Sequence, residues 1–205
     1  MKKTQYSLKK QPLQKRSVFL VNSIKEAATR ILKEKGLEGF NTNVVAEYAG
    51  VSIGSLYQYF DCKETLIAEI KREHFAQLRG FFREAQENLV TNDLKELVDA
   101  FIEASVKGHQ VDPILHKVLS QDLVDFGLKE KDNPDGSILS NVKAALLAYQ
   151  NQLRPNLDIT TAAELVYYLV EKTVHEAIIN EQESTKQLAI ISELKKVVLS
   201  YLRDD

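Results

Sequence analysis

Thr42-Asn43-Val44-Val45-Ala46-Glu47-Tyr48-Ala49-Gly50-Val51-Ser52-Ile53-Gly54-Ser55-Leu56-Tyr57-Gln58-Tyr59-Phe60 is the stretch that decides the fold. It reads as two short helices broken by one tight turn. Thr42 has the hydroxyl of a helix cap, and Val45, Ala46 and Ala49 form a small apolar face behind it. Gly50 ends that helix, because glycine takes positive φ without a steric penalty. Ser52 caps the next helix, whose Leu56 and Phe60 stand at i and i+4 and face inward. Helix, short glycine-containing turn and second helix form the helix-turn-helix pattern, whose second helix enters the DNA major groove.

Outward from this stretch the chain is helical. A first helix is expected over about Gln14 to Lys35, with Ile24, Ala28, Ile31 and Leu32 on one face, and a loop over Gly36 to Asn41. Asp61 followed by Glu64 reads as a capping box opening a fourth helix, about Cys62 to Asn88. A fifth spans about Asp93 to Gly108, and Asp112-Pro113 starts a sixth that runs to about Phe126. Gly127 to Gly136 collects helix breakers and reads as a loop. Ser137 to Leu153, Thr160 to Asn180 and Thr185 to Leu202 complete about nine helices in an all-α fold without strand-like alternation. Residues 1–13 are polar and basic and are expected to form a disordered arm. Residues 14–61 then make the helix-turn-helix domain, and 62–205 a helical effector-binding and dimerisation domain.

Composition agrees. With 44% hydrophobic and 27% charged residues, and only 8 Gly and 4 Pro in 205, the chain suits a helical globular protein. No stretch approaches the roughly 20 apolar residues of a membrane span, and the basic start lacks the apolar core of a secretory signal. The lone Cys62 excludes an internal disulfide, so a cytoplasmic protein is expected. The net charge of −2 hides an asymmetry: residues 1–60 carry +6 and the remainder −8. A basic end on an acidic body is the pattern expected when only one end meets phosphate.

The segment from Gln14 to Leu66 closely resembles the DNA-binding region of the tetracycline-repressor (TetR) family of bacterial regulators. The resemblance is carried by Ile24, Ala27-Ala28, Ile31-Leu32, Glu34-Lys35-Gly36, Gly50-Val51-Ser52, Gly54, Leu56-Tyr57, Phe60 and Lys63-Glu64-Thr65-Leu66. Tyr59 departs from the pattern, since many members carry His there. The resemblance implies that Ile53, Gly54 and Ser55 approach base edges, an apolar side chain suiting a thymine methyl. It implies that Tyr57 and Tyr59 bond phosphate oxygens. Thr42, Asn43, Ser52 and Lys63 stand at helix starts, where N–H groups face phosphate, and Lys15 and Arg16 precede the first helix as a backbone clamp.

Beyond Leu66 the resemblance extends only to a general helical layout, which implies a small-molecule cavity and a symmetric dimer. Phe75, Phe101, His109, His116, Leu119, Phe126 and Tyr149 are the candidate lining of a mostly apolar effector site, with Gly127 to Gly136 as its gate. Val166, Tyr167, Val170 and Val174 in one helix, and Leu188, Ile191, Leu194 and Val198 in the next, are the candidate dimer faces.

Chemistry of other kinds finds less support. His109, Asp112 and His116 imitate a two-His, one-carboxylate set, but Asp112 is spoken for as the cap before Pro113. Glu171 and His175, at i and i+4, read as a surface hydrogen-bonding pair. No metal or cofactor is expected, and no phosphate-binding loop or nucleophile motif suggests an enzyme. The expectation is a homodimeric repressor that a small effector releases from a palindromic double-stranded DNA operator. The rival within the same fold is an effector-independent, DNA-bound structural or division-control protein.

Overall fold

The computed structural model describes residues 6–90, 92–120 and 138–203. Among these the chain is all-α, with nine α-helices and no strand. They are α1 Lys15–Lys35, α2 Thr42–Tyr48, α3 Ile53–Tyr57, α4 Lys63–Glu87, α5 Leu94–Val111, α6 Pro113–Ser120, α7 Ile138–Ala148, α8 Ile159–His175 and α9 Ser184–Leu202. The expected boundaries are met within a few residues for most. The seventh helix stops earlier, at Ala148, and a 3-10 turn over Gln150–Gln152 follows. α8 stops at His175, and Glu176–Asn180 continues it as a π-helical turn. The loop Gly127 to Gly136 and Phe126 lie outside the described residues.

Two compact units emerge, and the division expected after residue 61 falls instead inside α4. The first unit holds 6–75 together with 114–120, and the second holds 76–113 and 138–203. In the first, α1 buries Val21, Ile24, Ala28, Ile31 and Leu32 at helical spacing. Val45 and Ala46 of α2, Leu56 of α3, Phe60, and Leu66, Ile67 and Ile70 of α4 close the core, joined by Leu115 and Leu119 of α6. The arm expected to be disordered is tied down from Tyr6 onward. Tyr6 and Leu8 pack on this core, the Lys9 amide donates to the Tyr59 carbonyl at 3.0 Å, and Lys9 pairs with Asp61 at 2.6 Å. Two apolar side chains in an otherwise polar arm provide the burial that offsets ordering it.

Gly50 sits at φ 65° with nothing within 4 Å of the position a Cβ would take, so its requirement is purely one of backbone. Gly50→Ala is expected to lower unfolding free energy by about 1–2 kcal/mol in a urea titration. Gly54→Ala is the matched control. A Cβ there meets only Ser52 Oγ, at 3.8 Å, and stability should not fall. Equal stabilities for the two variants would contradict the strained-turn reading.

In the second unit, α5, α7, α8 and α9 bury Leu97, Val98, Ile102, Val142, Leu146, Ala163, Val166, Val174, Leu194 and Val198 against Phe82 of α4. The ends are locked by polar contacts. Arg203 donates to Asp93 Oδ1 at 2.8 Å, and the Gln152 side chain accepts from the Leu94 amide at 2.9 Å while donating to the Asn92 carbonyl at 2.7 Å. Gly108 of α5 lies so close to α4 that a Cβ would sit 2.9 Å from Leu78 Cγ.

Candidate nucleic-acid interface and effector cavity

α3 is short because its residues serve a surface more than a core. Only Leu56 is buried, and Ser52 holds the N-terminus by accepting from the Ser55 amide at 3.1 Å. The Ser52 and Ser55 hydroxyls bond each other at 2.8 Å. That leaves Ile53 (37% exposed), Gly54 and Tyr57 (39% exposed) on the outer face, with Gln58 beside them. Tyr57 is pre-set: its hydroxyl and Thr42 Oγ1 share a hydrogen bond of 3.0 Å, tying the last residue of α3 to the first of α2. Lys15, Arg16, Asn43 and Lys63 are all exposed in the same unit.

Two expectations change on contact with the geometry, and one residue joins the site. The cap of α2 is Asn41, whose side chain accepts from the Asn43 amide at 2.8 Å, so Thr42 is freed to hold Tyr57. Tyr59 is only 8% exposed, and its ring belongs to the core, which makes it scaffold for α3 instead of a phosphate contact. Lys9, unremarked in the sequence, reaches the Tyr57 carbonyl at 3.3 Å. Its pair with Asp61 is about half exposed and contributes at most about 1 kcal/mol. The signal for Lys9 lay in Tyr6 and Leu8, which pack on the core just before it.

The second unit holds a thin apolar cavity of about 50 Å³, open in part to solvent. Phe82, Leu97, Phe101, Val142, Val166, Tyr167, Val170 and Val198 supply the apolar walls. Two polar groups interrupt them, Ser105 and Glu171. Ser105 is 3% exposed and its hydroxyl oxygen has no hydrogen-bond partner among the described residues, a state that costs about 1–3 kcal/mol.

Of the expected lining residues that are described, Phe101 alone borders this cavity. Phe75, His116 and Leu119 belong to the first unit, where His116 Nδ1 and His74 Nε2 share a hydrogen bond of 2.9 Å. Tyr149 packs at the margin of the second core, and His109 is buried one turn beyond Ser105. The residues missed follow Phe101 by the helical rule: Leu97, Phe101 and Ser105 recur at i, i+4 and i+8.

The expected dimer faces are corrected too. Val166, Val174, Leu194 and Val198 are buried in the chain's own core, Tyr167 and Val170 line the cavity, and Ile191 packs on the core. Leu188 remains, 72% exposed, with Leu165, Tyr168 (61% exposed) and Val197 on the outer sides of α8 and α9. A broad apolar stripe on an amphipathic helix marks first the side turned to its own core. No helix among the described residues is long and apolar enough to cross a membrane.

Comparison with known proteins accords with this geometry. Residues 24–70 match the family described as bacterial regulatory proteins, tetR family, and residues 93–202 match a tetracyclin repressor-like C-terminal domain. The chain is 29% identical over 140 residues to the HTH-type transcriptional repressor KstR2 of Rhodococcus jostii, covering 59% of this chain and 69% of that one. It is 22% identical over 175 residues to the fatty acid metabolism regulator protein of Bacillus subtilis, covering 83% and 88%. Its fold is that of the fatty acid degradation regulator FadR from Bacillus halodurans (TM-score 0.69, 21% identity, 89% of this chain and 99% of that one). NalD, the secondary repressor of the MexAB-OprM multidrug efflux pump in Pseudomonas aeruginosa, shares it too (TM-score 0.71, 18% identity, 94% and 100%).

Proposed function

The chain belongs to the TetR family of bacterial regulatory proteins and is a DNA-binding transcriptional regulator, and from that premise we propose a homodimeric repressor released from a palindromic operator by a small, mostly apolar effector. The observation that carries the effector half is the Ser105 hydroxyl, without a hydrogen-bond partner among the described residues, set with Glu171 in a cavity whose other walls are mostly apolar. Such a site takes a ligand with a long apolar body and one polar group. An alkyl chain fits a thin seam between helices with least opening. The names of relatives that regulate fatty acid metabolism support a fatty-acid-derived ligand, and the names of two repressors support the sign of the regulation. α4 contributes to both units, which gives the ligand-bound state a covalent route to the helix-turn-helix.

The thinness of the cavity favours a second reading, in which the core stays sealed and the protein holds DNA without an effector. A thermal-shift screen of fatty acids of graded chain length and of hydrophobic aromatic compounds separates the two. A true effector at a hundred times its Kd adds about 2.7 kcal/mol, a rise of about 5 °C or more in Tm. By linkage it lowers operator affinity by the factor by which operator lowers its own binding. A hit that stabilises the protein and leaves operator affinity unchanged refutes release by that compound.

A further inference from the structure

Gln58 closes α3. Its φ of −68° and ψ of −27° keep it helical, and its backbone amide donates to the Gly54 carbonyl at 3.1 Å. Each residue of a helix advances about 100°, which puts Gln58 and Gly54 each within about 20° of the point opposite Leu56. Leu56 is fully buried, so this line of α3 stands furthest from the core. Gln58 is exposed there, and its side-chain amide forms no hydrogen bond among the described residues. The Ser55 and Tyr57 hydroxyls, by contrast, already hold Ser52 and Thr42. One turn before Gln58 the face is bare, since a Cβ on Gly54 would meet only Ser52 Oγ, at 3.8 Å. The backbone on either side of Gln58 is gripped by one residue of the arm. Lys9 Nζ donates to the Tyr57 carbonyl at 3.3 Å, and the Lys9 amide donates to the Tyr59 carbonyl at 3.0 Å.

We propose, on the reading of α3 as the groove-entering helix of an operator-binding regulator, that Gln58 recognises one adenine in each half-site. A primary amide holds a donor and an acceptor side by side. Adenine shows the matching pair in the major groove, so Nε2 of Gln58 donates to N7 while Oε1 accepts from the N6 amino group. Guanine presents two acceptors there and cytosine only a donor, and neither engages both ends of the amide. Side chains of a helix lean toward its N-terminus, which carries the amide toward the open space over Gly54, where a base edge can approach the backbone. With no internal bond to break, the amide meets the base at no cost to the fold. The grip of Lys9 on both flanking carbonyls supplies the other requirement, because a bidentate contact needs its backbone held to within about 0.5 Å.

The test begins with selection of a randomised duplex pool by the full chain, which yields the preferred sequence. Each adenine of a half-site is then replaced in turn by 7-deazaadenine, which carries C–H in place of N7 and still pairs with thymine. At one position the replacement is expected to cost the parent about tenfold in affinity or more, read by fluorescence anisotropy. Gln58→Ala should bind the unmodified duplex about tenfold more weakly or worse and be indifferent to 7-deazaadenine at that position. It should also accept any base pair there, with an unchanged salt slope and circular dichroism spectrum. The 7-deazaadenine scan on the parent needs no variant, and a scan without one sensitive position overturns the contact. A uniform loss across all duplexes in Gln58→Ala, the mark of a phosphate contact, overturns it too. A clear preferred sequence that Gln58→Ala leaves intact removes Gln58 alone, whereas a pool that yields no preferred sequence overturns the operator reading and Gln58 with it.

Discussion

A Tyr57→Phe, Lys63→Ala double variant is expected to bind operator about 30-fold more weakly than the parent, or worse, while losing no more than about 1 kcal/mol of stability, the contribution of the Tyr57–Thr42 hydrogen bond. A neutral hydrogen bond contributes about 0.5–1.5 kcal/mol and one to a charged group about 1.5–3, and each tenfold in affinity is about 1.4 kcal/mol. Both positions are exposed, so their loss leaves the core of α1, α2 and α4 intact. Since phosphate contacts act by releasing counterions, the plot of log affinity against log salt should also become shallower by about one unit for the lost lysine. Ile53→Ala is the contrasting change: it should leave the salt slope alone and alter which base is preferred at one position. Fluorescence anisotropy on labelled duplexes at several salt concentrations reads all three quantities. Parent-like affinity in the double variant would remove Tyr57 and Lys63 from the interface.

The first unit was legible because its rules are local. A serine cap, a glycine at positive φ and apolar pairs at i and i+4 each act within one turn of helix, so Ser52, Gly50 and Leu56 stand where the sequence puts them. Tyr59 was misplaced because spacing says which residues share a face and does not say how deep a ring sits in it. The arm was misread for a related reason. Its composition is polar, but two side chains, Tyr6 and Leu8, are enough to dock it.

The second unit was legible as helices and much less so as surfaces. Periodicity finds an apolar stripe, yet four helices compete to cover it, and the winner is set by three-dimensional packing. Hence Val166, Val174, Leu194 and Val198 lie inside their own chain. The histidines illustrate the same limit. Asp112 drew attention by lying near His109 in sequence, whereas the carboxylate that faces His109 is Glu171, 62 positions further along.

Tyr168→Asp together with Leu188→Asp is expected to turn a dimer into a folded monomer and to lower operator affinity by more than 100-fold. Because α8 and α9 spend their strongest apolar stripes on the chain's own core, a partner is left the outer sides. There Leu165 and Tyr168 of α8 and Leu188 and Val197 of α9 remain in water. Large exposed apolar side chains on two neighbouring helices suit an isologous four-helix contact, in which each patch meets its own copy. Placing a carboxylate at each of two such exposed positions buries an unpaired charge in a dimer that covers them and costs the monomer little, since both are already exposed. One helix-turn-helix reads only a few base pairs, and a palindrome is held tightly because two rigidly joined modules bind as one. Loss of the pair therefore removes most of the operator affinity without touching α3. Sedimentation velocity and anisotropy on the same samples test both halves. A variant that stays dimeric would move the interface elsewhere, and a monomer with parent-like operator affinity would sink the dimeric mode of binding.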